Sequence, residues 1–435
     1  MTAGLAWTSP PPAYNNDTKR AERNHRRMND QTAIPLALLG SVPAFSEPLH
    51  VGRPNIGNRD RLMARINDML DRRWLSNNGP FVQDLERRIA DYVGVKHVIC
   101  VCNATIGLEI AIRAADLRGE VIVPAYTFVA TAHALQWQEI TPVFADMDPA
   151  THNLDPARVE RHITPRTTAV LGTHVWGRSC QVEALEEIAS RRGLKLMFDA
   201  AHAFGCSHRG RMIGGFGLAE VFSFHATKFL NSFEGGAICT NDDALAQLIR
   251  LMTNFGFAGF DNVVHIGTNG KMTEVCAAMG ITSLEDIDHL IATNRSNYLA
   301  YRKGLDELPG ITLIDYPAGE RNNYQYIVVE VDEAVAGLSR DELVHVLHAE
   351  NVLARKYFWP GVHRMEPYRS LFPHSHLLLP DTDRVARRVI VLPTGTAVTE
   401  STVATVCALI RSALSAPGKI RAALNQGVVS ASRNA

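Results

Sequence analysis

Glu220-Val-Phe-Ser-Phe-His-Ala-Thr-Lys-Phe-Leu-Asn-Ser-Phe-Glu-Gly-Gly-Ala-Ile-Cys-Thr-Asn-Asp242 sets one lysine between two apolar runs. Val221, Phe222 and Phe224 read as a short strand and Gly236 to Cys239 as another, so Lys228 falls in irregular backbone between two buried elements. Lysine is almost never buried without a partner. An ammonium desolvated among Phe222, Phe224, Phe229 and Phe233 has its pKa pushed down toward a usable amine nucleophile, the kind that forms a Schiff base. The same residue on a solvated loop would do nothing. The surroundings decide between the two.

Upstream, strands and helices alternate. Val98 to Val101 is followed by a helix from Thr105 to Ala115, and Val121 to Val123 by one from Thr127 to Gln136. Then come Pro142-Val-Phe144, Ala169 to Gly172, a helix from Val182 to Arg191, and Leu194 to Phe198. Strands that are apolar throughout and alternate with helices predict an α/β fold with a mostly parallel sheet covered on both faces, and such sheets bind ligands beyond the carboxyl ends of their strands. Two helical patterns, Arg59 to Leu70 and Phe81 to Tyr92, precede the first strand across the Asn77-Asn-Gly-Pro80 turn. Beyond about residue 290 the pattern becomes a smaller α+β domain: a helix through Tyr298 and Leu305, a strand Tyr324 to Val331, a helix Arg340 to Ala349 and a last helix Val403 to Leu414. The expected division is a disordered extension over 1–45, a large domain over 46–290, a small C-terminal domain over 291–415 and a fraying tail over 416–435. The extension lacks the apolar core of a signal peptide, and Met28 is an alternative starting methionine.

The 435 residues, 46% hydrophobic and 20% charged, suffice for a large core. A net charge of -1 argues against a nucleic-acid or membrane-surface partner held by bulk electrostatics, and no apolar run is long enough for a membrane span. Seven cysteines without regular spacing predict a reducing cytoplasm rather than a disulfide framework. Cys100-Val-Cys102 has no second ligand pair at zinc-like spacing, so no metal site is expected.

Chemistry-bearing residues recur at the strand ends. Asn103-Ala-Thr105-Ile106-Gly107 opens a helix, where backbone N–H groups and a hydroxyl suit a phosphate, although Thr there is also an ordinary cap. Pro124-Ala-Tyr-Thr-Phe128 brings aromatic rings to the same edge. Asp199-Ala-Ala-His202 follows an apolar strand directly, where a carboxylate is costly without a cationic partner. A protonated pyridine nitrogen is such a partner. Phosphate cradle, aromatic ring, acid and lysine, met in that order, are what a pyridoxal phosphate enzyme requires. No strand-following Gly-x-Gly-x-x-Gly or Gly-Lys-Ser/Thr points to a nicotinamide or ATP enzyme.

Over roughly residues 50 to 415 the sequence resembles the DegT/DnrJ/StrS family of pyridoxal phosphate-dependent nucleotide-sugar aminotransferases. The resemblance lies in Asn103-Ala-Thr-Ile-Gly-Leu108, Pro124-Ala-Tyr-Thr-Phe-Val-Ala-Thr131, Pro142-Val-Phe-Ala-Asp-Met-Asp148, His174-Val-Trp-Gly177, Asp199 to Gly205, and Ser223-Phe-His-Ala-Thr-Lys228 with Glu234-Gly-Gly236. It implies an aspartate-aminotransferase-like large domain of fold type I, with Lys228 as the Schiff-base lysine, Asp199 on the pyridine nitrogen and Phe128 stacked on the ring. It implies Thr105, Ile106 and Ser223 at the phosphate, with Asn269 reaching the phosphate of the neighbouring subunit in a homodimer. Many members carry Gln where this chain has His202, near the cofactor's 3-hydroxyl; histidine still donates there, with a different pH dependence. His202 with the Phe224-to-Phe229 stretch resembles the subgroup that aminates carbon 4 of dTDP-4-keto-6-deoxyglucose, glutamate being the usual donor. Arg355, Tyr357 and His363 are candidates for contact with sugar or nucleotide.

Three other readings compete with this one. Amination at carbon 3 of a related keto-sugar stays open on the residues alone. A dehydratase of the same fold carries histidine in place of the lysine, and Lys228 speaks against it. A cofactor-binding sensor would need a DNA-binding helix-turn-helix, which the first 45 residues are too short and too poor in apolar periodicity to supply.

Overall fold

The structure, a computed structural model, describes residues 34–433, with side chains through residue 426. The first 33 residues of the expected extension lie outside the described residues.

Seven strands form the large sheet: β1 His97–Val101, β2 Glu120–Pro124, β3 Thr141–Ala145, β4 Thr167–Thr173, β5 Lys195–Asp199, β6 Glu220–Ser223 and β7 Gly236–Thr240. Their spatial order is β1-β7-β6-β5-β4-β2-β3. β6-β5-β4-β2-β3 pair in parallel, while β7 runs antiparallel to both β1 and β6. Alternate strand residues feed opposite faces, as the period of two requires. Cys100, Ile122, Val170, Phe198 and Phe222 join α2 (Pro80–Val93), which follows α1 (Arg59–Arg72), and Val182–Arg192 in one core. Val101, Val123, Leu171, Met197 and Val221 join α3 (Ala104–Ala114), α4 (Ala130–Gln136) and Asp243–Thr253 in the other. Each buried Phe contributes about 2 kcal/mol of transfer free energy, so a sheet covered on both sides gains from every position rather than every second one. This is the expected α/β architecture.

A second sheet, β8 (Ile311–Leu313), β9 (Ile327–Val331) and β10 (Val389–Leu392), is antiparallel and packs with helices Ile287–Leu305, Arg340–Ala349 and Glu400–Leu414 around a third core. Helix Ile287–Leu305 runs across the boundary expected near residue 290. β9 begins at Ile327 rather than Tyr324, because the side chains of Asn322 and Asn323 accept hydrogen bonds from the amides of Tyr324 and Gln325 and turn the chain before the ladder can start. Residues 34–45, expected to be disordered, are held against this domain: the amides of Ala37 and Ala44 donate to the buried carboxylate of Glu350 at 2.6 and 2.8 Å, and Leu36 enters the third core. The expected fraying tail contains the helix Pro417–Arg433, seated by buried Ile420 and by Arg421, 2.9 Å from Glu342. Among the described residues no single helix is long and apolar enough to cross a membrane.

Between the domains lies a fourth apolar cluster, built from Tyr126, Trp176, Tyr326, Phe358 and their neighbours. Asp146, fully buried, fastens the two sides: it accepts from the amides of Asp381 and Thr382 and from the Thr382 hydroxyl at 2.7 to 3.0 Å.

Candidate active site

Strand register brings the candidate residues to one edge. Val101 pairs with Gly236, Gly236 with Ser223, Val221 with Asp199, and Asp199 with Thr173. The carboxyl ends of β1, β6, β5 and β4 and the start of β7 therefore form a single rim, where parallel sheets bind ligands.

At one end of the rim α3 begins. Asn103 caps it, its side-chain oxygen accepting from the Ile106 amide at 2.9 Å. The Ile106 N–H expected at a phosphate is thus already engaged by the chain itself, whereas the Ala104 and Thr105 amides have no acceptor among the described residues. A Cβ at position 236 would sit 2.9 Å from the Ala104 nitrogen, so glycine keeps the space over the helix start open. The Ser223 hydroxyl, paired across from Gly236, faces only a long 3.5 Å approach from the His225 amide. Gly236 thus has Ser223 paired with it on one side and the start of α3, with its free amides, on the other.

Asp199, at the end of β5, is buried. Its Oδ2 accepts from the Thr131 hydroxyl at 2.7 Å and its Oδ1 from the Ala201 amide at 3.0 Å. Burial pushes its pKa up, and Thr131, Ala201 and nearby Lys228 pull it back only in part. The Lys228 amine donates to the Tyr326 hydroxyl at 3.1 Å and lies 5.8 Å from that ring's centre. By surface area Lys228 as a whole is only partly buried, but the amine is enclosed, and it is the amine that titrates. Desolvation brings it down to about 8, against the upward pull of Asp199. His202 is buried against Tyr326 and stacked on Trp176. The Trp176 amide donates to its Nδ1 at 3.3 Å, which puts the ring proton on Nε2. Burial and then Lys228 depress its pKa well below the ordinary value, so the ring is neutral.

Phe128 is 57% exposed at the rim, a position suited to stacking on a ligand rather than on the core. The helix after it starts at Ala130, not Thr127, because the Thr127 hydroxyl is tied to Thr131 and Thr173 beneath the rim. Tyr357 joins the aromatic wall, 6.2 Å from Tyr326 and 6.4 Å from Trp176, and the exposed Arg355 guanidinium lies 5.3 Å from the Tyr357 ring. His363 is elsewhere. It is buried, its Nε2 is 3.1 Å from Asp383, and it shares no hydrogen bond or ring contact with this cluster; it anchors the turn after Gly361 to the helix Pro380–Ala386. Asn269 is exposed in a single chain; next to it the Gly270 carbonyl accepts from the Cys102 amide at 2.7 Å, just outside the helix start.

The sequence profile of the DegT/DnrJ/EryC1/StrS aminotransferase family matches residues 57–411. The chain belongs to this family. It is 36% identical over 363 residues to the dTDP-4-amino-4,6-dideoxy-D-glucose transaminase of Escherichia coli, covering 83% of this chain and 97% of that one. Its fold superposes on DesI, solved in the presence of its TDP-sugar product, with a TM-score of 0.86 and 50% identity, covering 90% of this chain and 99% of DesI. DesV of S. venezuelae, solved with a ketimine intermediate, gives 0.77 and 31%, covering 82% and 95%.

For an aminotransferase of this family the structure adds residues that sequence reading passed over: Thr131 on Asp199, Tyr326 on Lys228, and Trp176 under His202. Thr131 and Trp176 stand inside the recognised motifs but carry no charge to draw attention. Tyr326 lies 98 residues from Lys228 in a strand that reads as core. No local signal marks it.

Proposed function

We propose that this chain moves an amino group from glutamate to the keto carbon of a nucleotide-linked deoxysugar, carbon 4 of dTDP-4-keto-6-deoxyglucose, as a pyridoxal phosphate-dependent homodimer in the cytoplasm. One observation carries the reading: a buried carboxylate and a depressed-pKa lysine amine lie on the same strand rim as an open helix N-terminus. The substrate assignment is supported by the E. coli transaminase and by the likeness to DesI with its TDP-sugar product.

The residues fit the cofactor. Free amides of Ala104 and Thr105 with the Ser223 hydroxyl and the glycine-cleared space suit a phosphate. Asp199, whose anionic form burial disfavours, gains a partner in a protonated ring nitrogen. His202 offers Nε2–H to the 3-hydroxyl. Phe128 is placed to cover a ring face. Bound there, pyridoxal phosphate supplies the electron sink for transamination and carries the amino group. Lys228, whose amine desolvation brings down to about 8, would hold the aldehyde carbon of that group and would serve as the base that moves a proton between carbons. Tyr326 holds that amine in place, and the wall of Trp176, Phe358 and Tyr357 excludes water. Arg355 and Tyr357 are placed to meet the sugar nucleotide. A second copy is supported by the segment leading to Asn269, where Phe260, Val263 and Ile266 are 99%, 59% and 68% exposed, an apolar surface that a single chain leaves in water.

The test is chemical. Borohydride reduction of the pyridoxal phosphate-loaded protein should fix the cofactor to Lys228 by peptide mapping, and mass spectrometry should find the amino sugar when dTDP-4-keto-6-deoxyglucose and glutamate are supplied. An adduct on another lysine, or amination only of 3-keto sugars, refutes the corresponding half.

A further inference from the structure

Behind His202 runs a chain of hydrogen bonds whose direction is forced. The Trp176 amide donates to His202 Nδ1 at 3.3 Å, and the Trp176 indole Nε1–H donates to His152 Nδ1 at 3.1 Å. His152 Nε2 meets Glu330 Oε1 at 3.1 Å. Amide and indole nitrogens only donate, so both imidazoles accept at Nδ1 and carry their protons on Nε2. His152 therefore donates to Glu330, while the His202 Nε2–H has no acceptor among the described residues.

The geometry looks imposed. Trp176 and His152 are fully buried, and both hold φ near +64° and +63°, a region non-glycine residues adopt only when their surroundings compel it. Asn153 accepts from the Val175 amide and Asn322 donates to the Gly177 carbonyl, fixing the residues on either side of Trp176. The indole ring packs against Phe358 and Tyr326, but its N–H has His152 as its hydrogen-bond acceptor, and the far nitrogen of His152 meets Glu330. Glu330 stands on β9 of the small domain, its second oxygen 3.6 Å from Arg388.

We propose that Glu330 and His152 are positioning residues for the cofactor site. Glu330 selects the His152 tautomer that accepts from the indole, the indole sets the Trp176 backbone, and that amide holds His202 with Nε2–H presented to the ligand. A side chain of the small domain thus sets the hydrogen-bonding state of a group on the large domain. The inference rests on the proposed function only for what His202 faces.

The experiment compares Glu330→Leu, Glu330→Gln and Trp176→Phe with the wild type, each also in a His202→Ala background. One readout is the pH midpoint of the bound pyridoxal phosphate absorbance; another is the ultraviolet resonance Raman signal of the Trp176 indole N–H in cofactor-free protein, isolated by subtracting the Trp176→Phe spectrum. Glu330→Leu and Trp176→Phe should each move the absorbance midpoint by about half a pH unit or more. Glu330→Gln, which keeps an accepting oxygen, should stay near wild type, and neither effect should survive when His202 is Ala. Glu330→Leu should also weaken the indole hydrogen bond seen without cofactor. If Glu330→Leu does not fold, Trp176→Phe and its double variant carry the same comparison. The proposal is overturned by an undiminished shift in the His202→Ala background, by Glu330→Gln behaving as Leu, or by an indole N–H that is not hydrogen-bonded in the wild type. A wild-type protein that develops no cofactor absorbance refutes the proposed function instead and leaves the Raman comparison to decide the relay.

Discussion

Thr131→Val removes one hydroxyl at nearly constant volume, and its effect can be worked from the contacts of Asp199. The carboxylate has two donors, the Thr131 hydroxyl at 2.7 Å and the Ala201 amide at 3.0 Å, and no water-facing surface to replace either. A hydrogen bond to a charged group contributes about 1.5–3 kcal/mol. Since one pK unit corresponds to roughly 1.4 kcal/mol, the Asp199 pKa should rise by about one to two units above the elevation burial already imposes. Thr127, which also loses Thr131 as a partner, retains Thr173 at 3.2 Å, so the fold should survive. The sign follows from the charge: only the anion pairs with a protonated pyridine nitrogen, and a raised pKa removes the anion at a higher pH. The acid limb of pyridoxal phosphate affinity, measured by absorbance titration across pH, should therefore move upward by about one to two units, with the alkaline limb unchanged. Thr131→Ser, which keeps the hydroxyl, should restore the wild-type limb. A Thr131→Val protein with normal melting and an unmoved acid limb would falsify the assignment of Asp199 as the group whose ionisation the cofactor needs.

Asp199→Asn should cost turnover about 3 kcal/mol of barrier, roughly a hundredfold, yet make the cofactor-free chain more stable. The stability sign comes from the raised folded-state pKa: Asp199 favours folding when protonated and opposes it as pH rises through that pKa, so a neutral amide relieves the cost at neutral pH; a lower melting temperature for the cofactor-free variant at pH 7 refutes this. The rate at which cofactor-free protein captures pyridoxal phosphate should rise with pH around a midpoint near about 8, because the neutral Lys228 amine is the reactive form; a rate still climbing toward the ordinary lysine value of 10.5 would show the amine to be solvated. Mixed dimers of a Lys228→Ala chain and an Asn269→Ala chain, isolated with two tags, should recover activity toward half that of wild type, since one of the two sites then holds both residues. No recovery, from intact mixed dimers and an Asn269→Ala protein inactive by itself, places each site within one chain.

Much of this was legible in the order of residues. Strands that are apolar at every position and alternate with helices specify a covered parallel sheet, because only burial on both faces stabilises such runs. The costly placements are local too: Asp199 directly after an apolar strand and Lys228 among phenylalanines each announce a partner. The motif order named the family. Other features depend on contacts between distant segments. Ile106 reads as a phosphate donor until Asn103 is seen to occupy its amide, and His363 reads as a substrate contact until Asp383 is found beside it. Nothing near residues 34–45 indicates that Glu350, some 300 positions later, supplies the carboxylate that orders them.

The site itself divides the same way. Lys228, Asp199 and His202 carry a charge or an ionisable ring in an environment that the neighbouring residues already describe, so desolvation could be inferred from the sequence. Tyr326, Thr131, Trp176, His152 and Glu330 act through hydrogen bonds that exist only because the strand order β1-β7-β6-β5-β4-β2-β3 and the docked small sheet bring separated segments within about 3 Å. A hydrogen bond needs a particular distance and direction between two atoms, and one strand of residues says nothing of either until the chain has closed on itself.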